Sequence, residues 1–257
     1  MLDVAASPSS YVGHDLEALA DLPHYVRWIL DGFGGHLRGR VLDIGAGTGN
    51  FSAGYLDRVD EAVLHEPARN LYPTLAARFA DKPHIQTASG VLEEWIERSP
   101  EQGGPDGRPF DAAVMVNVLE HIADDYGTVR RLARLLRPGG KLLIFVPAVR
   151  MLYGSLDAEV HHYRRYSRHG LRRVVRQAGL EMVSLQSFDA AGVFPWLVAG
   201  RVLRRRSFSA MAAKIYDRWI VPLASRMERW LPPPLGKNLI CIAQRPAQSA
   251  NEVMRAA

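Results

Sequence analysis

Three glycines alternate in the run Val41-Leu42-Asp43-Ile44-Gly45-Ala46-Gly47-Thr48-Gly49-Asn50-Phe51-Ser52. Glycine lacks a Cβ, so it takes positive φ and lets the backbone approach a ligand closely. The order apolar strand, tight turn, helix aims helix N–H groups and a positive dipole end at whatever rests on the turn. That is the chemistry of a cradle for a nucleotide-type cofactor. A dinucleotide fingerprint needs G-x-G-x-x-G, and here Asn50 stands in the third position while the glycine falls one residue earlier, at Gly49. No Lys-Ser/Thr pair follows, which excludes a triphosphate P-loop. Asp43 precedes the first glycine by two residues and is placed to hold the turn or a cationic ligand group. Glu66, followed by Pro67, ends the second apolar run, where an acid accepts both hydroxyls of a ribose.

A second group of residues suits proton transfer. His121 follows the fourth apolar run, and His161 and His162 lie in the connection after the fifth. A histidine titrates near pH 6.5, which fits a general base. His162 is the stronger candidate, and His121 is read as packing beside the cofactor, with catalysis as its second reading. Tyr163-Arg164-Arg165-Tyr166 alternates aromatic and basic residues, read either as a helix lead-in with solvated arginines or as an arginine fork for an anionic acceptor. Neighbouring arginines cannot face the same way, and Tyr163 and Arg165 join the catalytic candidates. Asp157 with His161 and His162 raises the question of a metal. Without further converging carboxylates the expectation is that no metal is bound.

These residues need elements to position them. Apolar runs over 40–44, 61–65, 84–87, 111–116 and 141–146 read as five strands. The fourth and fifth are continuously apolar, as strands buried on both faces are. Helices are expected over 50–56, 68–80, 92–97, 124–136 and 168–178, with Pro138-Gly139-Gly140 stopping the fourth of these. Five alternations of strand and helix predict a parallel, doubly wound sheet that binds ligands at the carboxyl ends of its strands. Two further strands are expected at 182–188 and 238–243, separated by two or three amphipathic helices over 194–231. Residues 11–33 read as helical and broken by Pro23. Tyr11, Tyr25 and Trp28 there are either a lid over the cofactor or core, and Tyr25 is counted among the cofactor contacts. Trp196, Trp219 and Trp230, with Phe194 and Leu197, are read as packing or as the lining of a greasy acceptor pocket. Residues 1–10, 99–109 and 247–257 have the composition of disordered or surface segments.

The 257 residues are 47% hydrophobic and 23% charged, an ordinary globular composition. One cysteine, Cys241, excludes an intrachain disulfide framework and a multi-cysteine metal site. The first ten residues lack a signal-peptide pattern, and no apolar stretch approaches the roughly 20 residues a membrane span needs. The net charge of +5 gathers in Arg164-Arg165, Arg172-Arg173 and Arg204-Arg205-Arg206. Solvated helix faces account for it. A basic amphipathic C-terminal segment lying on an anionic membrane is the second reading.

Taken together, the cradle, Glu66, Phe110-Asp111, Asn117 and Leu136-Arg137-Pro138-Gly139-Gly140 resemble the class I S-adenosylmethionine-dependent methyltransferases over about residues 38–147. Asn117-Val118-Leu119-Glu120-His121-Ile122, Leu152-Tyr153-Gly154-Ser155 and His162-Tyr163-Arg164-Arg165-Tyr166-Ser167 resemble a bacterial subgroup found alone or fused to glycosyltransferases. The resemblance implies a Rossmann-like methyltransferase sheet, α/β and mostly parallel, with an antiparallel C-terminal strand. It carries N-terminal helices, and a helical insertion precedes the last strand. The implied domain spans 11–246, with a helical lid over 11–37 and an acceptor-side insertion over 190–235.

The cofactor implied is S-adenosyl-L-methionine. Gly45, Ala46, Gly47, Gly49 and Asn50 would pass its methionine part, with Asp43 beneath it. Glu66 and Pro67 would hold the ribose. Gly90 and Val91 would flank the adenine, and Asn117, Val118 and His121 would lie beside the sulfonium. The expected reaction is methyl transfer, at oxygen, to a small-molecule or sugar- or lipid-linked acceptor. The setting expected is a bacterial cytoplasm, with membrane association as the second reading. An NAD(P)-dependent oxidoreductase is the main alternative, disfavoured by the glycine offset and the lack of a Tyr-x-x-x-Lys pair. A macromolecular acceptor is the other, and nucleic acid is set aside because no Asn/Asp-Pro-Pro-Tyr/Phe motif follows the fourth strand.

Overall fold

The computed structural model describes residues 22–98, 104–205 and 209–247. The expectations for Tyr11, for 1–10 and for nearly all of the 247–257 tail fall outside them. Seven strands form one sheet in the order β3-β2-β1-β4-β5-β7-β6. They are β1 (Arg40–Ile44), β2 (Glu61–Glu66), β3 (Ile85–Ser89), β4 (Phe110–Val116), β5 (Leu136–Pro147), β6 (Glu181–Phe188) and β7 (Asn238–Gln244). The first five pair in parallel, and β7 runs antiparallel between β5 and β6. This is the doubly wound, mostly parallel sheet expected, and the chain direction reverses sides between β1 and β4.

Successive side chains on a strand point to opposite faces, so a sheet buried on both sides needs two apolar layers. On one face Leu42, Ile44, Ala113, Met115, Leu142 and Ile144 meet helices α3 (Leu92–Glu97), α4 (Asp125–Leu135) and α6 (Arg168–Gln177). On the other, Val41, Leu64, Val114 and Phe145 meet α1 (Pro23–Gly32) and α2 (Tyr72–Arg78). Two more segments complete the described residues. The short α5 (Ser155–Glu159) follows β5. Between β6 and β7 run α7 (Val193–Leu197), α8 (Ala210–Ile215) and α9 (Val221–Trp230), with π-helical turns at Val198–Val202 and Tyr216–Ile220.

Three local expectations are corrected. The helix expected over 50–56 is two 3-10 turns, Ser52–Gly54 and Leu56–Arg58, separated by Tyr55 at φ −130°. Asp43 accepts hydrogen bonds from both Ser52 Oγ and Tyr55 Oη, at 2.6 and 2.7 Å, and this draws the segment inward. The cradle therefore lacks the helix dipole that a strand–turn–helix would supply. Pro138-Gly139-Gly140 follows the end of α4 at Leu135, as expected, but does not precede the fifth strand. It lies inside β5, where Gly139 donates to Arg245 O and Arg245 donates to Gly140 O, both at 2.9 Å, and a register shift against β4 absorbs the irregularity. The second helix begins at Tyr72 instead of 68, because Pro73 occupies its first turn, where a missing N–H costs nothing.

Candidate active site

Gly45, Gly47 and Gly49 all have positive φ, at 68°, 60° and 79°. The turn is fixed from three sides. From below, Gly45 and Ala46 donate to His65 O at 2.8 and 3.1 Å. From the end of β2, Glu66 accepts from Gly47 N with one oxygen and from Ala68 N with the other, at 2.7 and 2.8 Å. From α2, Arg78 donates to Thr48 O and to Asn50 Oδ1, at 3.0 and 2.5 Å. A Cβ on Gly45 would lie 2.5 Å from Val118 Cγ2, so the cradle and the turn after β4 are in direct contact.

Two buried carboxylates thus serve this turn. Desolvation raises the Asp43 pKa to about 6, against the opposing hydrogen bonds of Ser52 and Tyr55. Desolvation also raises Glu66, opposed by the Ala68 and Gly47 amides. A carboxylate offers about four lone-pair positions, so the two amides leave Glu66 further acceptor capacity at the cradle. Asp43 directs its carboxylate at the 3-10 turns, which makes it the brace of the cradle. Gly90 (φ 102°) ends β3 with open space where a Cβ would stand, and Val91 is the N-cap of α3. Asn117, at φ 53°, terminates β4 by donating its N–H to Phe145 O at 2.8 Å. Pro67, Ala46 and Asn50 are half-buried on the same rim.

Beyond Val118 lies a second cluster. Glu120 and His121 form a 3-10 turn after β4, and the connection after β5 returns to it through Tyr163 N, which donates to Glu120 O at 2.9 Å. His162 Nδ1 pairs with Asp157 Oδ1 at 2.9 Å, and its Nε2 lies 3.8 Å from Glu120 Oε1. The rings of His121 and His162 meet edge to face with centroids 4.6 Å apart. Burial, with the neighbouring His162 and His161, pushes the His121 pKa down to about 3, so it is neutral. Burial works to raise Asp157, yet His162 and Arg165 hold it below the usual carboxylate range.

The other candidates are placed elsewhere. Arg165 is 3% exposed; it donates to Asp157 Oδ1 at 2.7 Å and Ala148 O at 3.0 Å, and its guanidinium stacks 4.7 Å from the Trp196 ring. Its fork is engaged inside the protein, so the anion-binding expectation is corrected to a positioning role. Arg164 is likewise engaged, with Ala123 O and Asp125. Tyr163 is 55% exposed, under the Arg164 guanidinium. Tyr25 is a core residue, not a lid: its ring packs on Trp28, Phe145 and Phe188, and its hydroxyl donates to Asp189 Oδ2 and Asn238 Oδ1. Sequence reasoning missed Arg78, which clamps the cradle from 28–30 residues away, and the buried Asp189, which also binds Lys237 Nζ at 2.9 Å and Tyr216 Oη at 2.5 Å. No periodicity announces either one.

A glycine cradle at the carboxyl end of β1, closed by an acid at the end of β2 on a 3-2-1-4-5-7-6 sheet, defines the class I methyltransferase type of site. Comparison with known proteins agrees. A methyltransferase-domain family model matches residues 14–185, and the chain belongs to that family. It is an S-adenosyl-L-methionine-dependent methyltransferase. A ubiquinone biosynthesis O-methyltransferase of Xanthomonas oryzae pv. oryzae is 27% identical over 187 residues, covering 67% of this chain and 74% of that protein. A highly reducing polyketide synthase of Emericella nidulans is 31% identical over 129 residues, but these span 48% of this chain and 5% of the synthase. Among solved structures, an S-adenosylmethionine-dependent methyltransferase from Archaeoglobus fulgidus superposes with a TM-score of 0.55 at 16% identity, covering 90% and 94% of the two chains. The [4+2]-cyclase SpnF superposes at 0.57 with 18% identity, covering 86% and 81%. At such identities the likeness is one of fold.

Proposed function

We propose that this enzyme moves the methyl group of S-adenosylmethionine to a hydroxyl oxygen of a small-molecule or sugar- or lipid-linked acceptor. The observation that carries the reading is the contact between the two clusters: Val118, which packs on Gly45, is two residues from Glu120 and three from His121. Donor and acceptor groups thus share one rim. The cofactor-binding residues are Gly45, Ala46, Gly47, Gly49 and Asn50 for the methionine part and Glu66 with Pro67 for the ribose. Gly90 and Val91 flank the adenine, and Asn117, Val118 and His121 lie by the sulfonium. The similarity to O-methyltransferases supports oxygen as the atom methylated.

The reaction is an in-line displacement. The acceptor oxygen's lone pair forms the O–CH3 bond as the S–CH3 bond breaks, the hydroxyl proton is lost, and neutral S-adenosylhomocysteine departs. The cofactor supplies the driving force and the protein supplies proximity and alignment. His162, steered by Asp157 so that Nε2 faces Glu120 and His121, serves the acceptor side of the transfer. Replacing His162 with Ala is expected to lower turnover at least tenfold while S-adenosylhomocysteine affinity stays within about threefold. Full activity in that variant overturns the assignment.

A second reading concerns where the enzyme works. In the region 190–235, taken as the acceptor-side insertion, Met211, Ile215, Trp219, Leu223 and Met227 recur every four residues and are 53–67% exposed. Trp230 beyond them is 88% exposed, and Lys214, Arg218, Arg226 and Arg229 stand exposed between them. An apolar stripe flanked by cations suits a helix lying in the interface of an anionic bilayer. No helix among the described residues is long and apolar enough to cross a membrane. Peripheral contact through this stripe would bring a lipid-linked acceptor to the rim.

A further inference from the structure

Glu120, His121 and His162 converge in a way that general-base catalysis does not require. One oxygen of Glu120 and one nitrogen of each histidine lie within 4.8 Å of one another. Glu120 is 0% exposed. A carboxylate removed from water so completely calls for positive charge. The nearby guanidinium of Arg165 is already engaged by Asp157, at 2.7 Å. Arg165 also feels the charge of Glu120, and Glu120 Oε1 lies 3.8 Å from His162 Nε2.

The ring of His162 is also set as a ligand's ring would be. Its Nδ1 pairs with the Asp157 carboxylate and its Nε2 turns toward Glu120 and His121. A carboxylate behind a histidine fixes the tautomer and aims the lone pair of the other nitrogen. The ring of His121 meets that of His162 edge to face, with centroids 4.6 Å apart.

We propose that Glu120, His121 and His162 form a binding site for a divalent first-row transition-metal ion, with Asp157 orienting His162 behind it. Ligand bonds of about 2.0–2.2 Å require donors no more than about 4.2 Å apart. The present spacing closes onto an ion with small side-chain rotations. Two imidazoles and one carboxylate favour Mn, Fe, Co or Zn over Mg or Ca. Three protein ligands leave coordination positions open. On the methyltransferase reading, which this role rests on, those positions face the rim shared with the cradle and take the acceptor's oxygen. His162 then acts as a ligand and the acceptor class is one with a metal-binding hydroxyl.

The test uses the full chain stripped with a chelator and titrated with Co2+, Mn2+, Zn2+ and Mg2+. Calorimetry gives stoichiometry, and visible d–d absorption reports Co2+. One ion per chain is expected, with Co2+ and Zn2+ bound more tightly than Mg2+. Glu120→Gln and His162→Gln should lose at least tenfold in Co2+ affinity, and Asp157→Asn about 10–100-fold. Unchanged S-adenosylhomocysteine affinity in each variant certifies its fold. Absence of saturable binding in the unaltered protein, or equal Co2+ binding by Glu120→Gln and His162→Gln, overturns the proposal. Stoichiometric Co2+ binding in a chain that binds no S-adenosylhomocysteine keeps the metal site and removes its role in methyl transfer.

Discussion

Glu66 gives one oxygen to the cradle and the other to the chain that follows it, which joins β1 to β2 at the point proposed for the cofactor's sugar. Hydrogen bonds to a charged group contribute about 1.5–3 kcal/mol. Calorimetry on Glu66→Ala should therefore show S-adenosylhomocysteine affinity about 10–100-fold weaker, while Glu66→Gln, which keeps one acceptor, falls between; unaltered affinity in both refutes the ribose role. Asp43 carries a pH signature. Its folded pKa of about 6 lies above the ordinary aspartate value of 3.8, so the native state binds its proton more tightly than the unfolded chain. The resulting stability is fully present below pH 3.8 and is lost as pH rises through 6. Over that window the change is of order 3 kcal/mol. Urea unfolding of Asp43→Asn beside the native chain should show the native chain losing ground between pH 4 and pH 7; parallel pH dependences would remove Asp43 as the cause.

At the scale of elements, β1, β2, β4 and the 141–146 part of β5 were legible because each is an apolar run buried on both faces, whereas β3, at the sheet edge, buries only Ile85. The cradle was legible because three alternating glycines have few other uses. What followed the cradle was not. The residues 50–56 have no helix breaker except Gly54, and only the buried Asp43 carboxylate, reached through the fold, turns them into 3-10 turns. Pro138-Gly139-Gly140 marked the helix end but misplaced the strand start for a related reason: a turn signal describes local geometry, and here Arg245, just after β7, pairs with Gly139 and Gly140. Glu66 could be assigned from its position at a strand end. Arg78 and Asp189 could not, since each finds its partners through packing between elements; Asp157 was set beside His162 in the sequence, and its partners His162 and Arg165 stand five and eight residues on. Gly45 tests the element directly. An alanine there meets both a positive φ and Val118, 2.5 Å from the new methyl. Gly45→Ala should lower the melting temperature by several degrees and weaken S-adenosylhomocysteine binding about tenfold or more. Native-like values for both would mean that the cradle and the β4 turn move independently.

The whole molecule places one rim at the carboxyl ends of β1, β2 and β4 and, after β6, a set of helices whose outward stripe is apolar. Those helices are anchored to α1 by Asp217, which accepts from Tyr25 N at 2.8 Å, and by the Asp189 network with Tyr25, Tyr216 and Lys237. The anchor fixes the stripe's direction, so lipid contact would orient the enzyme. Vesicles containing anionic lipid should carry the chain in flotation at low salt, release it as salt rises, and fail to carry a Trp219→Ala/Trp230→Ala variant. Equal flotation of that variant, or binding to purely zwitterionic vesicles at high salt alone, contradicts a basic, apolar docking face.

The central claim is that the Gly45–Gly49 cradle holds S-adenosylmethionine. Its most direct measurement is a calorimetric titration of the full chain with S-adenosylhomocysteine and, separately, with NADH. One S-adenosylhomocysteine per chain is expected, weakened by Glu66→Ala, with no saturable heat from NADH. Saturable NADH binding without S-adenosylhomocysteine binding would contradict it.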